Sequence, residues 1–135
     1  MSSQKITPKV SITSVLSQIQ NAYNPKLVAT LNNAIEFRVA KIQGDFVWHS
    51  HTTTDEFFLV LNGGPLVMKI RHVFGDPESE ETIVLEKGEL FVVPAGTQHL
   101  PGAEEIVEVL VVEKCGELNT GDLGVTSVTS FLICY

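Results

Sequence analysis

Four side chains in this sequence have the types and spacing for metal chemistry. His49 and His51 stand one residue apart in "WHSHTTTDEFFLVLNGG", Glu56 follows five residues later, and His99 lies in "PAGTQHLPG". On a strand, residues i and i+2 face the same side about 6.6 Å apart. Two imidazoles at that spacing can converge on one ion. "TTTD" is a tight connection whose side chains can bond their own backbone. Glu56 then opens a strand that returns antiparallel beside the first. Asp55 competes for the carboxylate role, but Glu56 has the longer reach. His99 sits in rigid, turning backbone between Pro94, Gly96 and Pro101. Three imidazoles and a carboxylate suit a divalent first-row transition metal: iron, manganese, nickel, copper or zinc. A six-coordinate ion would keep two positions for water or substrate. Taken alone, a His-x-His pair also reads as two surface histidines.

The elements that must carry these residues are short. The 135 residues fit one domain with a buried core. Residues 1–10 read as a flexible leader, 11–124 as the folded domain, and 125–135 as a tail or final strand. "SITSVLSQIQNAY" has Ile12, Val15, Leu16 and Ile19 at helical spacing. It predicts one short helix, capped by Thr13 or Ser14 and ended by Asn24-Pro25, with a further turn of helix over "PKLVATLNN". From Ile35 the texture changes. "IEFRVAKIQ", "DFVWHSH", "EFFLVLN", "PLVMKIRHVF", "ETIVLE", "LFVVPA" and "EIVEVLVVEK" are apolar and β-branched or aromatic, with turn signals between them. Seven such strands predict an all-β, antiparallel sandwich or barrel. Phe58 and Val60 share the parity of Glu56, and Val47 that of His49. These three are the expected pocket lining around the metal. Trp48 has the outward parity.

The bulk properties exclude several functions. The formal net charge is -7, and the basic residues are scattered. A nucleic-acid surface needs a Lys/Arg stripe that the sequence lacks, and an anionic membrane is disfavoured for the same reason. No apolar run approaches the ~20 residues of a membrane span, and the N-terminus lacks a secretory h-region. The expected location is cytoplasmic. Cys115 and Cys134, the only cysteines, are expected to be reduced thiols. Arg38 and Lys41 can greet an anionic substrate but are expected to be solvated, and His72 is expected at the surface. The pocket therefore reads as apolar, with few charges near the ligands. No glycine-rich phosphate loop or Ser/His/Asp constellation is present.

The sequence resembles the cupin superfamily. The first cupin motif reads Gly44, "DFVW", His49-Ser50-His51, "TTTD", Glu56, "FFLVLN", Gly63. The second reads Gly88, "ELFVV", Pro94-Ala95-Gly96, "TQ", His99, with Ala103 where an Asn is expected. That Asn is not a metal ligand in the family. The resemblance implies a jelly-roll barrel with His49, His51, Glu56 and His99 as ligands to one metal. "GELFVVPAGTQHLP" and "LNTGDLG" look like the small single-domain cupins labelled mannose-6-phosphate-isomerase-like. Resemblance to cupins implies a metal-dependent enzyme acting on a small carbonyl- or phenol-containing metabolite, by isomerase, lyase or cyclase, or dioxygenase chemistry. Glu56 would be the catalytic base. The alternative is a non-catalytic module that binds a metal or small ligand. Small cupins commonly pair across a two-fold axis, so a homodimer is expected.

Overall fold

A computed structural model describes residues 6–124 together with Thr126 and Thr129. The order is α1 (Ile12–Ser17), β1 (Lys26–Leu31), β2 (Ile35–Asp45), β3 (Glu56–Gly63), β4 (Leu66–Arg71), β5 (Glu80–Leu85), β6 (Leu90–Val93) and β7 (His99–Lys114). Antiparallel pairing arranges them as β1-β2-β7-β3-β6, with β4 joined to both β5 and β7. The fold is thus the expected all-β barrel, with one short helix. No helix among the described residues is long and apolar enough to cross a membrane.

β7 is the spine. Its first residues pair with β4, Ile70 opposite His99 and Val67 opposite Gly102. Its remainder lies between β2 and β3, with Val109 opposite both Ala40 and Val60. Alternation decides what each strand buries. Phe58 and Val60 of β3, Leu66, Met68 and Ile70 of β4, and Val107, Val109 and Val111 of β7 form one continuous core. The same parity carries Glu36 and Arg38 of β2 and Glu113 of β7 inward. Helix α1 and the residues just after it cover the outer face of β2, packing Leu16 and Ile19 on Val39.

Several local expectations change. The helix stops at Ser17, and its N-cap is Ser11, whose hydroxyl accepts from the Ser14 N–H. "PKLVATLNN" is strand β1 and its turn, not helix. Asn32 and Asn33 both have positive φ (55° and 51°), and asparagine tolerates the left-handed region that reverses a chain into a hairpin. The segment carrying His49 and His51 belongs to no strand, and it meets β7 through a bridge between His49 and His99 and a hydrogen bond from the Phe46 N–H to the Pro101 carbonyl. Trp48 is half-buried, with the Arg71 guanidinium 4.0 Å over its ring. Cys115 is disulfide-bonded, not a free thiol. Cys134 and most of the tail 125–135 lie outside the described residues.

Core position governs the effect of truncation. Leu66 is fully buried, whereas Leu90 is 56% exposed. Leu66→Ala is expected to lower unfolding free energy by about 2–5 kcal/mol, and Leu90→Ala by no more than about 0.5 kcal/mol. Urea denaturation of both variants checks this, and equal losses would refute the core assignment.

Candidate metal centre

Each ligand is placed by a different piece of backbone. His49 and His99 exchange main-chain hydrogen bonds, N–H of His49 to O of His99 at 3.1 Å and N–H of His99 to O of His49 at 2.9 Å. This clamps the first histidine segment onto the first residue of β7. The backbone N–H of Gly96 donates to the His51 carbonyl at 2.8 Å, tying in the turn before His99. Glu56 is the first residue of β3 and points to the same spot. One ligand atom from each of His49, His51, Glu56 and His99 lies within 4.8 Å of every other, and all four residues are buried. Asp55 turns away and accepts from the Ala95 N–H at 2.8 Å.

The donor atoms are prepared for a cation. His49 Nδ1 donates to the Val47 carbonyl at 2.8 Å, and His99 Nδ1 to the Thr97 carbonyl at 3.0 Å. In His49 that leaves the Nε2 lone pair free, while His99 Nε2 lies 2.9 Å from Glu56 Oε1, its fellow candidate ligand. His51 Nδ1 lies 3.2 Å from Glu117 Oε1 and 3.6 Å from Glu113 Oε2. Its Nε2 is buried without a hydrogen-bond partner, 3.3 Å from Glu56 Oε1. An orphaned nitrogen beside a carboxylate and two further imidazoles is what a metal ion would satisfy.

Residues 36–113 match the cupin domain family. This chain is a cupin. A curated relative, the uncharacterized protein YdbB of Bacillus subtilis, is 36% identical over 62 residues, covering 46% of this chain and 48% of that protein. The match thus spans about half of the relative's length. A cupin-2 domain protein from Shewanella frigidimarina is 31% identical with a TM-score of 0.65, covering 78% of this chain and 93% of that one. The hydroquinone 1,2-dioxygenase of Sphingomonas sp. TTNP3, solved with 4-hydroxybenzoate bound, has a TM-score of 0.69 at 17% identity, covering 96% and 90%. That last likeness shows the fold alone.

The site of this cupin opens on a small cavity of about 60 Å³, with His49 and Glu56 in its wall. Ala40, Ile42, Phe58 and Val111 make it largely apolar. Phe58 is on that wall. Val60 and Val47 are not among its lining residues: Val60 is one layer further into the core, and Val47 spends its carbonyl on His49. The expectation of few charges nearby needs correction. Arg38, read as solvated, is 2% exposed and lines the cavity with Glu113. It is paired with Glu36, reaches Glu113 at 3.3 Å, and donates to the Glu117 carbonyl at 3.1 Å. Lys41 is half-buried and donates to the Ile19 carbonyl, while exposed His72 pairs with Glu81. Parity was the signal for Arg38 and Glu113, since they alternate with Ala40, Ile42 and Val111. Nothing in the spacing pointed to Glu117.

Burial and pairing divide the charges in the metal-free protein. Burial and the neighbouring His99 push His49 down to about 4, so it is a neutral imidazole. Burial alone would lower His51, but the Glu56, Glu113 and Glu117 carboxylates reverse this and raise it to about 9. Burial would raise Glu56, yet His51 and His99 hold it well below the usual carboxylate range. Glu113 is raised to about 9 by burial and by the Glu56 charge.

These shifts predict a pH profile. The folded state retains protons that the unfolded chain releases above about 6.5 at His51 and about 4.5 at Glu113. Stability gained through His51 is full below pH 6.5 and is lost as pH rises through about 9. Glu113 acts in the same direction across that window. The melting temperature of metal-free protein should therefore fall from pH 6.5 to 9. A flat or rising profile in thermal melts would contradict the assignment.

Proposed function

We propose that this cupin is a metal-dependent enzyme acting on a small carbonyl- or phenol-containing metabolite, with His49, His51, Glu56 and His99 as ligands to one divalent first-row ion. The observation that carries this is the convergence of four buried donor atoms at the wall of an apolar cavity. A closed structural site would have no such opening. A bound ion would supply Lewis acidity to a substrate oxygen, or, if redox-active, a place for oxygen beside it. The reaction class is an isomerisation, a lyase or cyclase step, or a dioxygenation.

The chain's own residues supply the rest. Phe58, Ile42 and Val111 exclude water and grip an apolar ring or chain. Glu56 is the group we assign to proton transfer, as the carboxylate nearest the reacting atoms. Val60, in the same core cluster as Phe58, backs this wall. Tyr23, at the cavity, donates its O–H to the Gly44 carbonyl at 2.6 Å, and burial beside Asp45 raises its pKa, so it stays a neutral phenol. Arg38 is the one Lys or Arg among the described cavity-lining residues, and two carboxylates already face it. A phosphate would find no free cation, which argues against a sugar phosphate. The Arg38 Nε–H, buried without a partner, suits a neutral oxygen acceptor instead. The distant dioxygenase with 4-hydroxybenzoate bound is consistent with a phenolic ligand.

The test begins with metal analysis of the purified protein, followed by binding of a phenol, a 2-oxo acid and a sugar phosphate to the loaded form. The phenol or oxo acid should bind and the sugar phosphate should not; the reverse order would overturn the substrate class. His51→Ala should reduce metal content and abolish turnover, with far-UV circular dichroism unchanged, because apolar burial dominates stability. A variant that unfolds would make the ion structural. Ligand binding without turnover for any of the three classes would favour the non-catalytic module.

We also propose a homodimer. The helix and Trp48 are satisfied within one chain, so they leave little for a partner. The support is instead the two edge strands: Leu90 and Val92 of β6 are exposed, and so is Val84 of β5. An uncovered apolar edge is a template for pairing. Light scattering at micromolar concentration should give twice the monomer mass, and a monomer would refute it.

A further inference from the structure

Two of the three imidazoles are oriented by their own backbone. His49 and His99 each donate through Nδ1 to the carbonyl two residues earlier. His51 does not repeat this arrangement: the carbonyl two residues before it belongs to His49 and accepts from the His99 N–H, and the His51 Nδ1 faces the Glu117 and Glu113 carboxyl groups instead. The third histidine must take its orientation from elsewhere in the chain.

We propose that the segment Gly116–Gly124, which follows β7, is a clasp that completes the metal centre by fixing His51, with Glu117 and Asp122 as its positioning residues. The proposal rests on the reading of the four ligands as a metal site. Glu117 Oε1 is 3.2 Å from His51 Nδ1. A carboxylate accepting from Nδ1–H selects the tautomer whose Nε2 lone pair faces the other ligands, and it raises the basicity of that nitrogen. Asp122 grips the residue before. Its backbone N–H donates to the Ser50 carbonyl at 2.7 Å, and its Oδ1 accepts from the Ser50 N–H at 2.6 Å. One residue thus takes both polar backbone groups of the link between the two ligating histidines.

The segment is built for this approach. A Cβ at Gly121 would collide with the Ser50 carbonyl oxygen and lie 3.2 Å from His51 Nδ1. Only glycine permits the contact, and its φ of 53° is the left-handed conformation glycine adopts freely. Thr120 is fully buried and ties the turn by donating to the Gly124 carbonyl. The base of the clasp is held on β2: the Gly116 N–H donates to Glu36 Oε1 at 3.2 Å, and Arg38 donates to the Glu117 carbonyl. This gives the buried Glu36 and Arg38 a structural purpose. All of these clasp residues lie beyond the residues 36–113 matched by the cupin domain.

The test is Co(II) titration against a competing chelator, followed by visible absorption, with melting of the metal-free protein as the control. Glu117→Leu should weaken Co(II) binding by about 10–100-fold and change the absorption bands, as one imidazole loses its fixed orientation. Glu117→Gln, similar in size and still an acceptor, should fall between Glu117→Leu and wild type; it also serves if the leucine variant does not fold. Asp122→Ala should weaken binding in the same direction. A role confined to folding would lower the melting temperature and leave affinity and spectrum unchanged. Wild-type protein that binds no Co(II) would sink the metal site and the clasp together. Wild-type binding with equal affinity in Glu117→Leu and Glu117→Gln would overturn the clasp alone.

Discussion

Burying a charge is unfavourable unless a partner compensates it, and this cupin does so repeatedly at one end of its barrel. Glu36, Arg38, His49, His51, Glu56, His99 and Glu113 are all buried. Most of the local architecture follows from keeping that group compatible with an apolar interior. Arg38 lies between Glu36 and Glu113, Glu113 keeps its proton, His49 stays neutral, and Glu56 is shared by His51 and His99. Among the described residues five buried side-chain atoms here lack a hydrogen-bond partner, and one of them, His51 Nε2, is at the point where the four candidate ligand atoms converge. That point of an otherwise largely paired network has the donor chemistry of a metal site.

β7 is where fold and site meet. Its alternation builds the apolar core through Val107, Val109 and Val111, and the same period delivers Glu113 into the polar layer. Its first residue is one of the four converging side chains, and its last residues lead into the segment that closes over His51. A one-residue slip of its register would exchange every inward side chain for an outward one. Core packing depends on its pairing with β2 and β3, and the placement of His99 on its pairing with β4.

Much of this was legible from residue order. Alternating apolar runs marked β2 through β7, and the two histidine motifs marked the four side chains that converge. Local chemistry misled in two places. "PKLVATLNN" has helical composition, but the paired asparagines turn it into a hairpin against β2. The His49–His51 segment alternates like a strand, yet its only bridge among the described residues is His49 to His99, and its other backbone bonds go to Gly96 and Asp122. Arg38 was legible in principle, since it shares the parity of Ala40 and Ile42, but its charge argued for solvent.

The sequence by itself determined β2 to β7, the inward parity of their side chains and the four side chains that converge, because these depend on spacing along a backbone of fixed period. Only the tertiary structure decided which groups stand around those ligands. Glu117 lies 66 positions from His51, and Asp122 lies 72 from Ser50. No local pattern relates them; the fold of β7 across β2 and β3 sets that distance. The same holds for Arg38 and Glu113, 75 positions apart. Their burial follows from the register of two strands, and register is a property of the paired sheet, not of either strand alone.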